Sequence, residues 1–173
     1  EIIMKNKYNI DVSALDNIIT GRVAPKIYAF TTQTVPNHLK VGDTYRPLEV
    51  RLEEWRKHFP NLEKKFEEIA KVDDDTFFRD HAIHYFLEKE KQKERLLPDI
   101  LNKTSYYSKE FFKNTSTNDL VEAIKDIKGN YQNNVNKYQY YKFDKSRIPI
   151  SHNYIRNETY KPRPNQQATI DRF

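Results

Sequence analysis

Residues 26–59, KIYAFTTQTVPNHLKVGDTYRPLEVRLEEWRKHF, constrain the fold more than any other stretch. Their pattern predicts strand, loop, strand, helix, with Tyr28 in the middle of the first strand. In the loop, Pro36 and Asn37 favour a turn. LKVGDT predicts a second short strand stopped by Gly42. Pro47 suits a first helical turn, because its fixed φ fits there and its missing N–H would have no partner anyway. Leu48, Leu52, Trp55 and Phe59 then form one apolar stripe, and Pro60 ends the helix. Arg51 falls at the edge of that stripe and leans toward the sheet. A guanidinium in that position needs an anionic partner or a functional role.

The chain has 173 residues, enough for one domain plus extensions. A net charge of +5 and only 3 glycines point to a helix-rich, mildly basic, soluble protein, and away from a β-barrel or sandwich. The 12 Tyr and 10 Phe serve either as core or, in part, as surfaces on which bases stack. With no cysteine, disulfides and cysteine-based zinc sites are excluded, and a reducing compartment is expected. No apolar run approaches the roughly 18 residues of a membrane span. The start, EIIMKNK, lacks a signal-peptide apolar region, so a cytoplasmic location without membrane partners is expected.

Residues 1–25 form an N-terminal extension with one short helix, VSALDNIIT, ending at Gly21. NLEKKFEEIAKV has helical spacing at Leu62, Phe66 and Ile69. Asp73, Asp74, Asp75 and Thr76 read as helix caps for FFRDHAIHYFLEKEKQKERL. That helix predicts an apolar side of Phe78, Ala82, Tyr85 and Phe86 with Ile83 and Leu87. Asp80, His81, His84 and Glu88 share the other side, which is either a solvated face or the wall of a metal-binding cleft. SYYSKEFF reads as a strand, and STNDLVEAIKDIKGN as a helix capped by Ser116 or Thr117 and stopped by Gly129. From residue 129 to 160 the chain turns polar, read as a linker, with a basic aromatic strip for nucleic acid as the rival.

Ile27-Tyr28, then Lys40-Val41-Gly42, then Arg51 on the following helix resembles the core of the GIY-YIG nuclease superfamily, over roughly residues 26–113. LKVGDT is similar to the YKIG-type second motif of a phage and bacterial branch. The resemblance implies a third strand over about residues 66–72, against the helical spacing there. It therefore implies a small α+β domain of residues 26–128, whose mainly antiparallel three-stranded sheet is flanked by helices. In that branch a Glu precedes a His by three residues. His84 matches the His, which leaves His81 at the Glu position and Asp80 as the nearest carboxylate. Glu110-Phe111-Phe112 resembles the branch's closing E-[WF]-F element and offers Glu110 as a second carboxylate.

These matches imply phosphodiester hydrolysis by in-line attack of water. Tyr28 would act as general base or water orienter. A free tyrosine titrates near 10, so a neighbouring cation such as Lys40 would have to favour its ionised form. Arg51 would clamp the phosphate. One Mg²⁺ or Mn²⁺ would sit on Asp80 or Glu110, His81 or His84 would assist proton transfer, and Arg46, Arg56, Lys57 and His58 would hold the DNA backbone. Taken singly, Tyr28 is a core aromatic, Lys40 a strand-edge charge, and Arg51 the partner of Glu54 or Glu49.

Finally, Arg163 to Ile170, RPNQQATI, resembles the opening of a superfamily-2 helicase or translocase core, in which a glutamine reads adenine. The chain reaches Phe173 without a GxxxxGK[ST] loop. Residues 161–173 are therefore expected to start a larger ATP-dependent protein of restriction, phage defence or DNA repair, with ATP bound only in that missing part. The rivals are a non-catalytic DNA-targeting module of such a helicase and a purely structural interaction domain.

Overall fold

Residues 19–98 and 106–144 are described by the computed structural model of the protein. Strands β1 (Lys26–Thr32) and β2 (Val35–Thr44) form an antiparallel hairpin. Its turn lies at residues 33–34, where the Thr34 N–H reaches the Thr32 hydroxyl, and not at Pro36-Asn37. Asn37 instead makes a left-handed kink inside β2 at φ 61°, which asparagine tolerates, and its carbonyl accepts the Asn114 N–H. Gly42 likewise does not stop β2, which continues to Thr44.

Helix α1 (Leu48–Arg56) follows Pro47, and strand β3 (Glu63–Ile69) pairs antiparallel with β1. The segment with helical spacing is thus a strand, three residues earlier than expected at its start and its end. The open edge of β1 offers it a full ladder of backbone hydrogen bonds, with Phe66 opposite Ala29. Asp73 to Asp75 form a turn and cap no helix: the Asp73 carboxylate accepts the Asp75 N–H at 2.8 Å and the Tyr131 hydroxyl at 2.6 Å. The Tyr131 hydrogen bond, then the Asp75 N–H, hold that carboxyl down at about 2.

Strand β4 (Thr76–Phe77), helix α2 (Asp80–Lys89), strand β5 (Phe111–Lys113), helix α3 (Thr117–Gln132) and strand β6 (Tyr141–Lys142) complete the described elements. The main antiparallel sheet has four strands in the order β3-β1-β2-β5, one more than expected, because the short β5 pairs with residues 38–40 of β2. Strands β4 and β6 form a second, two-stranded sheet. After α2 the chain runs beside β5, where Leu96 N–H bonds Phe111 O and Lys113 N–H bonds Glu94 O, so that edge is covered.

Helices pack on both faces of the main sheet. Leu48, Leu52, Trp55 and Phe59 bury against Tyr28, Phe30 and Phe111 on the α1 face. On the other face Ile83, Phe86 and Leu87 of α2, with Leu120, Ile124 and Ile127 of α3, cover Ile27, Ala29, Leu39 and Val41. Within α2 the inward side includes the buried His84, while Tyr85, expected inside, is exposed. A Ser116–Asp119 capping box opens α3. The helix passes through Gly129, since a single glycine lowers helix stability by only ~1 kcal/mol.

Residues 129–143, expected to begin a linker, belong to the same compact unit, which extends to Phe143. Tyr138 is buried and donates to Asp126, Tyr140 donates to the Ile127 carbonyl, and β6 pairs with β4. A second unit begins at Asp144. The helix expected over VSALDNIIT lies outside the described residues except at its end, as do the linker beyond 144 and the RPNQQATI segment. Among the described residues, no helix is long and apolar enough to cross a membrane.

Candidate active site

Tyr28 of β1 stands opposite Gly42 of β2. A Cβ at position 42 would lie 2.6 Å from the Lys40 ammonium and 3.0 Å from the Tyr28 hydroxyl, so glycine is needed for close approach and not for a turn. Lys40 is fully buried. Its ammonium pairs with the Glu110 carboxylate, lies 3.5 Å from the Tyr28 hydroxyl, and sits over the Trp55 ring, 4.3 Å from its centroid. From α1, Trp55 donates its indole N–H to the Tyr28 oxygen at 2.8 Å. The strand-edge charge considered for Lys40 is therefore a buried ion pair in a ring of polar atoms.

Arg51 donates to Glu54 at 2.7 Å, and Arg46 makes a two-pronged contact with the same carboxylate. Arg51 has the structural partner expected of it in Glu54, and it also borders the cleft. Burial works against the guanidinium charge, but the Tyr28 hydroxyl and Glu54 beside it raise its pKa above the ordinary value. Burial opposes the Glu54 charge as well, yet hydrogen bonds from Arg46 and Arg51 leave its pKa lowered.

Across the cleft, Asp43 accepts Arg79 Nε at 2.5 Å, Arg79 Nη2 at 3.2 Å and the Asp80 backbone N–H at 3.1 Å. The hydrogen bonds that Arg79 donates to Asp43, opposed by burial, raise the Arg79 pKa. Among the described residues the Asp80 carboxylate has no ion-pair partner. Burial, then the charges of Asp43 and Glu110, push it up to about 7, against the opposing pull of Arg79 and Lys40. Tyr28, Gly42, Asp43, Arg46, Arg51, Arg79, Asp80 and Glu110 all border one open cleft of about 590 Å³.

The remaining expected residues lie elsewhere. His84 is buried behind β2, with Nε2 at 2.8 Å from the Val41 carbonyl. Burial lowers its pKa to about 4, outweighing the Val41 hydrogen bond. His81 turns the other way and meets the Tyr141 hydroxyl at 2.8 Å, with its pKa lowered by burial and by Arg79. Neither histidine borders the cleft, so neither is brought to the place expected of a proton-transfer group. Arg56, Lys57 and His58 are at the far end of α1: Arg56 pairs with Glu53 and Glu49, and His58 stacks on Tyr106 with ring centres 3.9 Å apart. Of the four residues expected to hold DNA, only Arg46 borders the cleft.

Asp43 and Arg79 were not foreseen. The signal was the alternation in LKVGDT, which places Asp43 on the same face as Leu39 and Val41. An acid on an apolar face requires a cation, and Arg79 just precedes α2. Among the described residues no three His, Cys, Asp or Glu side chains form a ready metal cage. Comparisons with protein-family models, curated proteins and solved structures yield no match.

Proposed function

We propose that the folded unit is a GIY-YIG-like, metal-dependent endonuclease domain that hydrolyses DNA phosphodiester bonds. The observation that carries this reading is the meeting of Tyr28, Arg51, Asp80 and Glu110, from separate elements, around one cleft, with the buried Lys40 paired to Glu110. A hydrolytic site must orient water, offset charge building on the phosphoryl oxygens, and let the 3′ oxygen leave.

The Tyr28 oxygen orients the attacking water, and in its phenolate form it takes the water's proton. The Lys40 ammonium, 3.5 Å away, stabilises the negative charge of that phenolate before the proton arrives. Arg51, steadied by Glu54, presents its planar fork to the phosphate. Asp80 fits a hard divalent cation: it is half-buried at the cleft, has no ion-pair partner among the described residues, and lies in the field of Asp43 and Glu110. Mg²⁺ commonly needs only one or two carboxylates, completing its shell with water and substrate phosphate. Bound there, Mg²⁺ or Mn²⁺ would offset charge on the departing oxygen. Arg46 and Arg79 at the cleft border favour an anionic substrate. Fusion to an ATP-dependent helicase or translocase, with a role in restriction, phage defence or repair, is supported by the RPNQQATI sequence alone.

A second reading, a non-catalytic DNA-targeting module, draws on one observation. The Tyr28 hydroxyl is already engaged by Trp55, Lys40 by Glu110 and Arg51 by Glu54. Supercoiled plasmid incubated with Mg²⁺ or Mn²⁺ separates the two readings. The enzyme nicks it, and Tyr28→Phe and Arg51→Ala each lose about 100-fold or more in rate. Absent nicking with salt-sensitive DNA binding retained leaves the targeting module. Absence of both leaves an interaction domain.

A further inference from the structure

Resting on the nuclease reading above, we propose that Asp43, locked by Arg79, is a positioning residue that fixes Asp80 at the cleft. The Asp43 side chain is only 6% exposed and uses both carboxylate oxygens. One oxygen serves two donors, Arg79 Nε and the backbone N–H of Asp80, the first residue of α2. The residue before α2, Arg79, supplies no side-chain cap, so the cap arrives from a different element.

Helix α3 shows the ordinary arrangement, with Ser116 and Asp119 capping from within their own segment. Helix α2 is capped from β2, next to Gly42, on the strand that also carries Lys40. The start of α2, and with it Asp80, is thereby bolted directly to the hairpin that holds Tyr28. Arg79 is braced in turn: its guanidinium lies 4.7 Å from the Tyr45 ring centre, and Tyr45 packs edge-on against Phe77. A polar partner that orients a metal-binding carboxylate typically contributes 10–100-fold in metal affinity or activity.

The test compares Asp43→Ala, Asp43→Asn and Arg79→Gln with the wild-type chain. Three quantities are read: hydrogen exchange at the Asp80 amide by NMR, Mn²⁺ affinity by paramagnetic resonance, and kcat against KM for plasmid nicking. Asp43→Ala is expected to expose the Asp80 amide and to weaken Mn²⁺ binding and kcat by about 10–100-fold, with KM for DNA little changed. Asn keeps an acceptor, so Asp43→Asn retains the amide protection and stays within about tenfold of wild type. Arg79→Gln, which leaves the cap in place, lowers kcat and Mn²⁺ affinity while the Asp80 amide stays protected. If Asp43→Ala does not fold, Arg79→Gln decides between the outcomes. Variants that lower the melting temperature yet keep wild-type Mn²⁺ affinity and kcat overturn the proposal, as does an Asp80 amide unmoved in Asp43→Ala. A wild-type chain that never nicks overturns the nuclease reading instead, and the amide and Mn²⁺ measurements still judge the clamp.

Discussion

Strand β1 turns Ile27 and Ala29 to one face of the sheet and Tyr28 and Phe30 to the other, and the two faces are built differently. The α2–α3 face is apolar apart from His84, whose ring meets the Val41 carbonyl, and Asp43, which is held by Arg79 near the end of β2. The α1 face has an equally buried apolar layer but surrounds a fully buried lysine with Tyr28, Trp55 and Glu110. Apolar contact gives about 25 cal/mol per Å² buried. A buried ion pair has no such assured gain, because desolvation cancels much of its attraction. Apolar contacts on both faces therefore hold the domain together, whereas the buried Lys40–Glu110 pair on the α1 face adds little assured stability.

Truncations should separate the faces most sharply. Ile83→Ala is expected to cost about 2–5 kcal/mol in urea unfolding while the folded fraction nicks DNA as before. On the α1 face, Lys40→Met with Glu110→Gln should leave stability unchanged or raise it by about 1–4 kcal/mol, with nicking lost. A loss of stability in that double variant as large as that of Ile83→Ala would mean the buried pair holds the fold as the apolar contacts do.

Acid and base set the next comparison. The folded Asp80 carboxyl ionises at about 7, raised by burial and then by Asp43 and Glu110, whereas an unfolded aspartate ionises near ~3.9. Between those values the folded state holds the extra proton, so this group lowers stability as pH rises through the window. Asp80→Asn should thus be more stable than wild type above pH 7, by on the order of 1–3 kcal/mol, and inactive. Thermal melts at pH 5 and pH 8 read the difference, which vanishes if Asp80 is not strained.

His84 has the opposite sign. Burial holds it near 4, while an unfolded histidine binds a proton below ~6.5, so its contribution falls as pH drops from 6.5 to 4. The two groups flatten the wild-type profile, and Asp80→Asn should uncover a stability that rises with pH across that range. The smallest effect is expected at the sheet's outer edge, where Glu67 pairs with Lys26 and Lys64 in solvent. Glu67→Gln should change stability by less than about 1 kcal/mol, and added salt should shrink the difference.

Short-range pattern determined a good deal by itself. The stripe of Leu48, Leu52, Trp55 and Phe59 specified α1 and the face it buries, and the Ser116-Thr117 pair marked where α3 begins. Tyr28, Lys40, Arg51, Asp80 and Glu110 became candidates through the resemblance to the GIY-YIG core, whereas Tyr28, Lys40 and Arg51 taken singly read as structural residues. Tertiary structure alone decided how they meet. It made a strand of Glu63–Ile69 because β1 had an open edge, and it added the three-residue β5, too short to show a period. It turned His84 inward and His81 outward along one helix, and it folded residues 138–143 back onto the domain. It also joined Arg79 to Asp43, 36 residues apart. Helical and strand periods reach only a few residues along the chain, whereas sheet edges, ion pairs and caps between elements depend on partners that only the folded chain brings within hydrogen-bond distance.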